Sequence, residues 1–172
     1  KSEGIILPGV GSFSDGIQNL KRKNMVDILE KEVLINKKPY LGICLGLEFL
    51  AERSYEGGSY EGFGWINGSI SKIEPKSCSF KVPHIGWDDT EILKNDELFN
   101  EIQEPTFYYL HSYFFDVSKD DKKYVTSVCD YGGVEIPATI HKDNIFATQF
   151  HPEKSQETGL KLLNNFLEYV KK

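Results

Sequence analysis

Cysteine is scarce in this chain, and its three copies, Cys44, Cys78 and Cys129, show no paired spacing. An odd, scattered set argues against a disulfide framework and for a reducing compartment, so a cytoplasmic protein is expected. There is no Cys-x-x-Cys and no cysteine–histidine cluster along the chain, so no zinc motif is read and neither metal nor cofactor is expected. No stretch approaches the roughly 18 to 20 apolar residues of a membrane-spanning helix, and nothing reads as a signal peptide. Positive charge is in deficit: 20 Lys and Arg against 26 Asp and Glu leave a net charge of −6. That balance argues against nucleic acid or an anionic membrane as partner. The short basic runs Lys21-Arg22-Lys23 and Lys122-Lys123 read as solvated faces. Internal repeats and low-complexity linkers are missing too. The single methionine is Met25, and Lys1 leads almost at once into Ile5-Ile6-Leu7. A fragment without its natural start is therefore expected.

What is present suits one domain. In 172 residues, 40% are apolar and 27% charged, enough for a sizeable core under a soluble surface. Ile5–Leu7 reads as a short buried strand ending in Pro8-Gly9-Val10-Gly11. Ser12 or Ser14 can cap a helix to about Lys21. Asn24 opens a second helical pattern with Val26, Leu29, Val33 and Leu34 on one face. Pro39–Ile43 is the next strand, and a helix over Cys44–Arg53 follows. This alternation predicts an α/β fold, an open and mostly parallel sheet flanked by helices. The middle differs. A flexible loop is expected over Glu56–Gly64, then short strands at 69–73, 80–83, 107–112 and 123–129. A hairpin joins 136–140 to 145–150 across Lys142-Asp143-Asn144. These add an antiparallel β portion. A last helix, capped by Ser155, carries Leu160, Leu162, Leu163, Phe166, Leu167 and Val170 as its core face.

The chemistry centres on Gly42-Ile43-Cys44-Leu45-Gly46 and His151-Pro152-Glu153. A cysteine between glycines, at the end of a strand and the start of a helix, reads as a nucleophile on a tight elbow, where a side chain at either glycine would crowd the turn. The new helix would aim its free N–H groups and dipole at the sulfur. His151 supplies a base, and Glu153, on the same face of an extended segment, orients the imidazole. Pro8-Gly9-Val10-Gly11 follows a neighbouring strand, so its N–H groups are read as facing a developing oxyanion. His84 and His111 read as packing or loop histidines, and His141 as solvated.

Together these residues resemble the class I (triad-type) glutamine amidotransferases. Within them they are similar to the glutaminase subunits of imidazole glycerol phosphate synthase. The elbow, the His-Pro-Glu segment, Pro8–Phe13, Lys81-Val82-Pro83-His84-Ile85-Gly86-Trp87, Leu110-His111-Ser112-Tyr113 and the run from His151 to Gln156 carry the resemblance over nearly the whole chain. It implies a single domain, residues 1–172, that hydrolyses glutamine to glutamate and ammonia through Cys44, His151 and Glu153. Val10, Gly11 and Leu45 would form the oxyanion hole. Gly11, Glu48, Glu56, His111, Ser112 and Tyr113 would bind glutamine. Trp87 and Lys154 would face a partner, a HisF-like (β/α)₈-barrel cyclase subunit, in a heterodimer that takes up the ammonia for histidine biosynthesis.

The chain departs from the family pattern in three places. Leu47-Glu48 stands where methionine-glutamine is usual, which would turn hydrogen-bond donors into acceptors. Asp88 replaces asparagine after Gly86-Trp87. An opening strand and helix of the family pattern are not in the sequence. Three other functions are weighed: a paralogue feeding ammonia to amidino-sugar synthesis, a stand-alone γ-glutamyl hydrolase, and a non-catalytic relative. The last would be expected to lose Cys44, His151 or Glu153.

Overall fold

The computed structural model describes residues 2–172. The first third alternates strand and helix: Ile5–Gly9 (β1), Phe13–Arg22 (α1), Met25–Glu30 (α2), Tyr40–Cys44 (β2) and Leu45–Glu48 (α3). Ser12 caps α1 by accepting the Asp15 N–H. Short strands follow: Arg53–Ser54 (β3), Tyr60–Glu61 (β4), Gly68–Lys72 (β5), His84–Asp89 (β6), Glu91–Ile92 (β7), Thr106–His111 (β8) and Tyr113–Val117 (β9). Val125–Tyr131 (β10), Val134–Lys142 (β11) and Ile145–Thr148 (β12) precede the last helix, Gln156–Val170 (α4).

The main sheet has the order β1-β2-β12-β11-β10-β7. Its first three strands are parallel, and the antiparallel portion continues the same sheet through β11, β10 and β7. A four-stranded sheet, β4-β3-β5-β9, and a two-stranded ribbon, β6-β8, complete the fold. Strand β2 is buried throughout and separates two cores. Tyr40 clusters with Phe13, Ile17 and Leu29 of the first helices and with Val33, in the π-helical turn Lys31–Ile35 that follows them, whereas Leu41 and Ile43 join Phe146, Leu162 and Phe166 on the α4 side. Register sets Gly9 beside Cys44 and Thr148 beside Ile43. Three parallel strands thus end together, the place where α/β sheets hold ligands.

Several expected elements differ. Ile6 is exposed because β1 is the edge strand among the described residues and carries a neighbour on one side only. Helix α3 stops after about one turn. The carbonyls of Phe49, Leu50 and Ala51 accept the N–H groups of Phe63, Ile66 and Gly64, so the returning loop ends the helix. That loop contains β4 rather than irregular chain alone. Residues 80–83 form no strand, and β6 starts at His84, after Pro83, which has no N–H to give a ladder. Leu34, Leu160 and Leu167 are exposed; α4 buries Leu162 and Phe166.

Candidate active site

The elbow forms because its glycines allow close approach. A Cβ on Gly42 would lie 2.5 Å from the Gly46 carbonyl oxygen, and one on Gly46 would lie 1.9 Å from that of Leu7. The buried Tyr40 hydroxyl donates to the Gly46 carbonyl at 2.9 Å and latches the turn. Cys44 is held at φ +53° and ψ −105°, a strained conformation for a residue with a side chain. Its Sγ lies 3.9 Å from the Leu110 carbonyl oxygen and 3.9 Å from Gln149 Nε2.

Burial pushes the Cys44 thiol far up, and the nearby Glu48 charge adds to it, against a lowering by the Leu45 N–H. The expected helix-dipole support is small because α3 is so short. At rest the sulfur is a thiol and needs a base.

His151 follows β12. Its N–H donates to the Tyr108 carbonyl at 2.8 Å, and Ser155 Oγ donates to the His151 carbonyl at 2.6 Å. Ser155 Oγ also accepts the Tyr108 N–H at 2.9 Å. Ser155 therefore ties this segment to β8 instead of capping α4 with its side chain. His151 Nδ1 donates to Glu153 Oε1 at 2.7 Å. The pairing arises from a 3₁₀ turn over Pro152–Lys154, not from the extended segment expected. With Nδ1 donating, Nε2 carries the lone pair in the neutral ring; it is buried and has no hydrogen-bond partner.

A cavity of about 290 Å³ collects most of the sequence-predicted residues: Val10, Gly11, Cys44, Leu45, Glu48, Glu56, His111, Ser112 and Tyr113. Pro83 and Leu110 complete its wall. A second hollow of about 220 Å³ is lined by Pro8, Gly9, Val10, His151 and Glu153, so Val10 borders both spaces. Glu56 Oε2 accepts the Phe13 N–H at 2.6 Å. Trp87 and Lys154 lie outside these cavities on the exposed surface. Trp87 is 47% exposed, which excludes a core role, and it stands opposite Tyr108 in the β6–β8 ladder.

Glu48 is buried, and burial pushes its carboxyl up to about 8. At neutral pH it is an acid carrying one O–H donor, which softens the expected loss of donors at this position. Gln149 Nε2 approaches its Oε1 at 3.4 Å. Gln149 was not singled out by sequence, although a wholly buried amide at the end of an apolar strand, two residues before His151, is a usable signal.

The family model for glutamine amidotransferase class-I matches residues 2–170. This chain belongs to that family. The amidotransferase is 48% identical over 167 residues to "Imidazole glycerol phosphate synthase subunit HisH 1" of Campylobacter jejuni subsp. jejuni, covering 96% of this chain and 81% of the relative. It is 43% identical over 168 residues to the protein named subunit HisH in Pelagibacter ubique, covering 96% and 79%. A solved glutamine amidotransferase superposes with a TM-score of 0.70 at 17% identity, over 99% of this chain and 80% of that one. A second, from Thermotoga maritima, gives 0.62 at 18% identity, over 97% and 63%. These two establish the amidotransferase fold alone. Among the described residues, no helix is long and apolar enough to cross a membrane.

Proposed function

We propose that this amidotransferase is the glutaminase subunit that supplies ammonia for imidazole glycerol phosphate synthesis, acting in the cytosol. The observation that carries the reading is the oriented His151, its Nδ1–H on Glu153 at 2.7 Å and its Nε2 buried without a partner, at the same strand ends as a strained cysteine. His151 Nε2 takes the Cys44 proton as the sulfur attacks the side-chain amide carbon of glutamine. The C=O electron pair moves to oxygen, where the N–H groups of Leu45 and the Val10–Gly11 turn receive it. Collapse breaks the C–N bond; His151 returns the proton, and ammonia leaves. The base then activates water against the thioester, and glutamate is released with the thiol restored. Glu153 holds the tautomer throughout.

In the free chain burial favours the protonated Cys44 thiol, and His151 Nε2 has no hydrogen-bond partner. Binding of a partner is expected to bring the two together, an allosteric coupling between sites. The similarity to subunits named HisH supports a (β/α)₈-barrel cyclase as that partner, in a heterodimer. The exposed Trp87 and Lys154 are the surface proposed for it.

The test is ammonia release from glutamine by the full-length protein, alone and with the barrel subunit and its imidazole-precursor ligand. Strong stimulation that disappears in Cys44→Ala is expected. Turnover indifferent to that subunit would overturn the pathway assignment, and turnover surviving Cys44→Ala would overturn the mechanism.

A further inference from the structure

The β6–β8 ribbon meets the main sheet at β10 through a second cysteine, histidine and carboxylate. One ligand atom each from His84, Asp88 and Cys129 lie within 4.8 Å of one another. His84 and Cys129 are buried, whereas Asp88 keeps 35% of its side chain exposed, which leaves a path from solvent. His84 Nε2 stands 3.4 Å from Asp88 Oδ2. That is long for a charge-assisted hydrogen bond, typically about 2.7–2.9 Å. It suits two ligands of one ion: atoms each about 2.1 Å from a tetrahedral centre lie roughly 3.4 Å apart. Gly86, between them on the same face of β6, leaves room, since a Cβ there would meet nothing within 4 Å.

Proton positions are set from the other end of the cluster. The Tyr113 carbonyl can only accept, so His111 Nδ1 donates to it at 2.8 Å. With Nδ1 donating, His111 Nε2 is left to accept from His84 Nδ1 at 3.1 Å. With Nδ1 as the donor, His84 Nε2 faces an Asp88 carboxylate oxygen, an arrangement that calls for a proton or a cation between them. The ring cannot turn away. It is stacked by Tyr131 at 3.9 Å and by Tyr109 at 4.7 Å, and the Tyr131 hydroxyl donates to the Lys81 carbonyl. A histidine whose second nitrogen is held in this way is how proteins orient a metal ligand.

We propose that His84 Nε2, an Asp88 carboxylate oxygen and Cys129 Sγ bind one zinc-type divalent cation, with a fourth position open to water. Loading breaks the Cys129 S–H bond as the sulfur–metal bond forms, and the proton leaves to solvent. Thiolate and carboxylate then balance the two positive charges. The ligands come from β6 and β10, strands far apart in sequence, so cysteine spacing gives no sign of them. Because His84 holds His111, which lines the larger cavity, the ion would brace that wall and staple the ribbon to the main sheet.

The proposal is tested by titrating chelator-treated full-length protein, carrying Cys44→Ser and Cys78→Ser, with Co²⁺, followed by Zn²⁺ competition. One equivalent with a thiolate-to-cobalt charge-transfer band is expected. Cys129→Ser should remove the band, and Asp88→Asn, at a partly exposed position that folding tolerates, should weaken binding about tenfold or more. His141→Gln should change neither, because His141 belongs to the separate group with Asp96 and Glu97. No band in the parent, or a band untouched by Asp88→Asn and Cys129→Ser, would overturn the assignment. So would binding lost only with His141→Gln.

Discussion

Two groups of cysteine, histidine and carboxylate stand in this molecule, built on different backbones. Cys44 sits on a turn at φ +53°, while Cys129 lies inside strand β10, opposite Ile136 of β11. His151 meets Glu153 at 2.7 Å across a 3₁₀ turn, with its far nitrogen unpartnered. His84 meets Asp88 at 3.4 Å over a glycine, with its far nitrogen held by His111. The same residue types thus support different chemistry. A strained strand-to-helix turn holds a sulfur at a cavity wall and leaves a base free to take its proton. A strand pair clamped by tyrosines gathers one ligand atom from each of three side chains within 4.8 Å, the grouping the proposed cation site uses.

The sharpest way to break this comparison is to make the same change in both groups. Glu153→Gln keeps the shape but removes the charge that fixes the His151 tautomer. It is expected to lower kcat by about 10²–10⁴ while KM moves a few-fold. Asp88→Asn should change kcat by less than about tenfold. Steady-state ammonia assays of both variants decide it; equal losses would mean that the second group takes part in turnover.

Glycine substitutions probe the backbones themselves. Gly46→Ala places a methyl on the Leu7 carbonyl, in a turn that Tyr40 latches and β1 backs. A stability loss of roughly 3 kcal/mol or more is expected, because backbone rather than a flexible side chain must move. Gly86→Ala meets open space but must adopt φ +138°, a strain of about 1–3 kcal/mol. Thermal unfolding of the two, with Gly46→Ala the lower, would confirm that the elbow is the tighter structure.

The elbow was legible because steric need wrote it locally. Two glycines around one cysteine after an apolar strand have few structural solutions, and the structure adopts the one expected. The parallel strands and the hairpin into β12 were legible for the same reason, in periodicity and turn residues. Other features depend on partners distant in sequence. The end of α3 is set by N–H groups from the 63–66 loop, and β1 is half exposed because of its place in the sheet. Leu160 and Leu167 share the α4 apolar pattern with Leu162 and Phe166, yet nothing among the described residues covers them, and periodicity alone cannot show this. Gln149 reaches Glu48 only because β12 lies beside β2.

Glu48 gives the smallest effect and tests the elbow's electrostatics. It shares its cavity with Cys44, Glu56, His111 and Tyr113, and Gln149 reaches it from the β12 end. Its carboxyl stands near 8, against 4.5 unperturbed, so the folded chain keeps a proton that the unfolded chain has lost. Stability from this group is fully present below pH 4.5, declines as pH rises, and is gone once pH passes about 8. Glu48→Gln should flatten that decline, gaining about 1–2 kcal/mol on the wild type between pH 7 and pH 9. Ionised Glu48 also raises the Cys44 thiol further. Wild-type turnover should therefore fall above pH 8 relative to Glu48→Gln. Parallel pH profiles of melting temperature and kcat for the two proteins measure both, and superimposable profiles would show that Glu48 is already ionised at neutral pH.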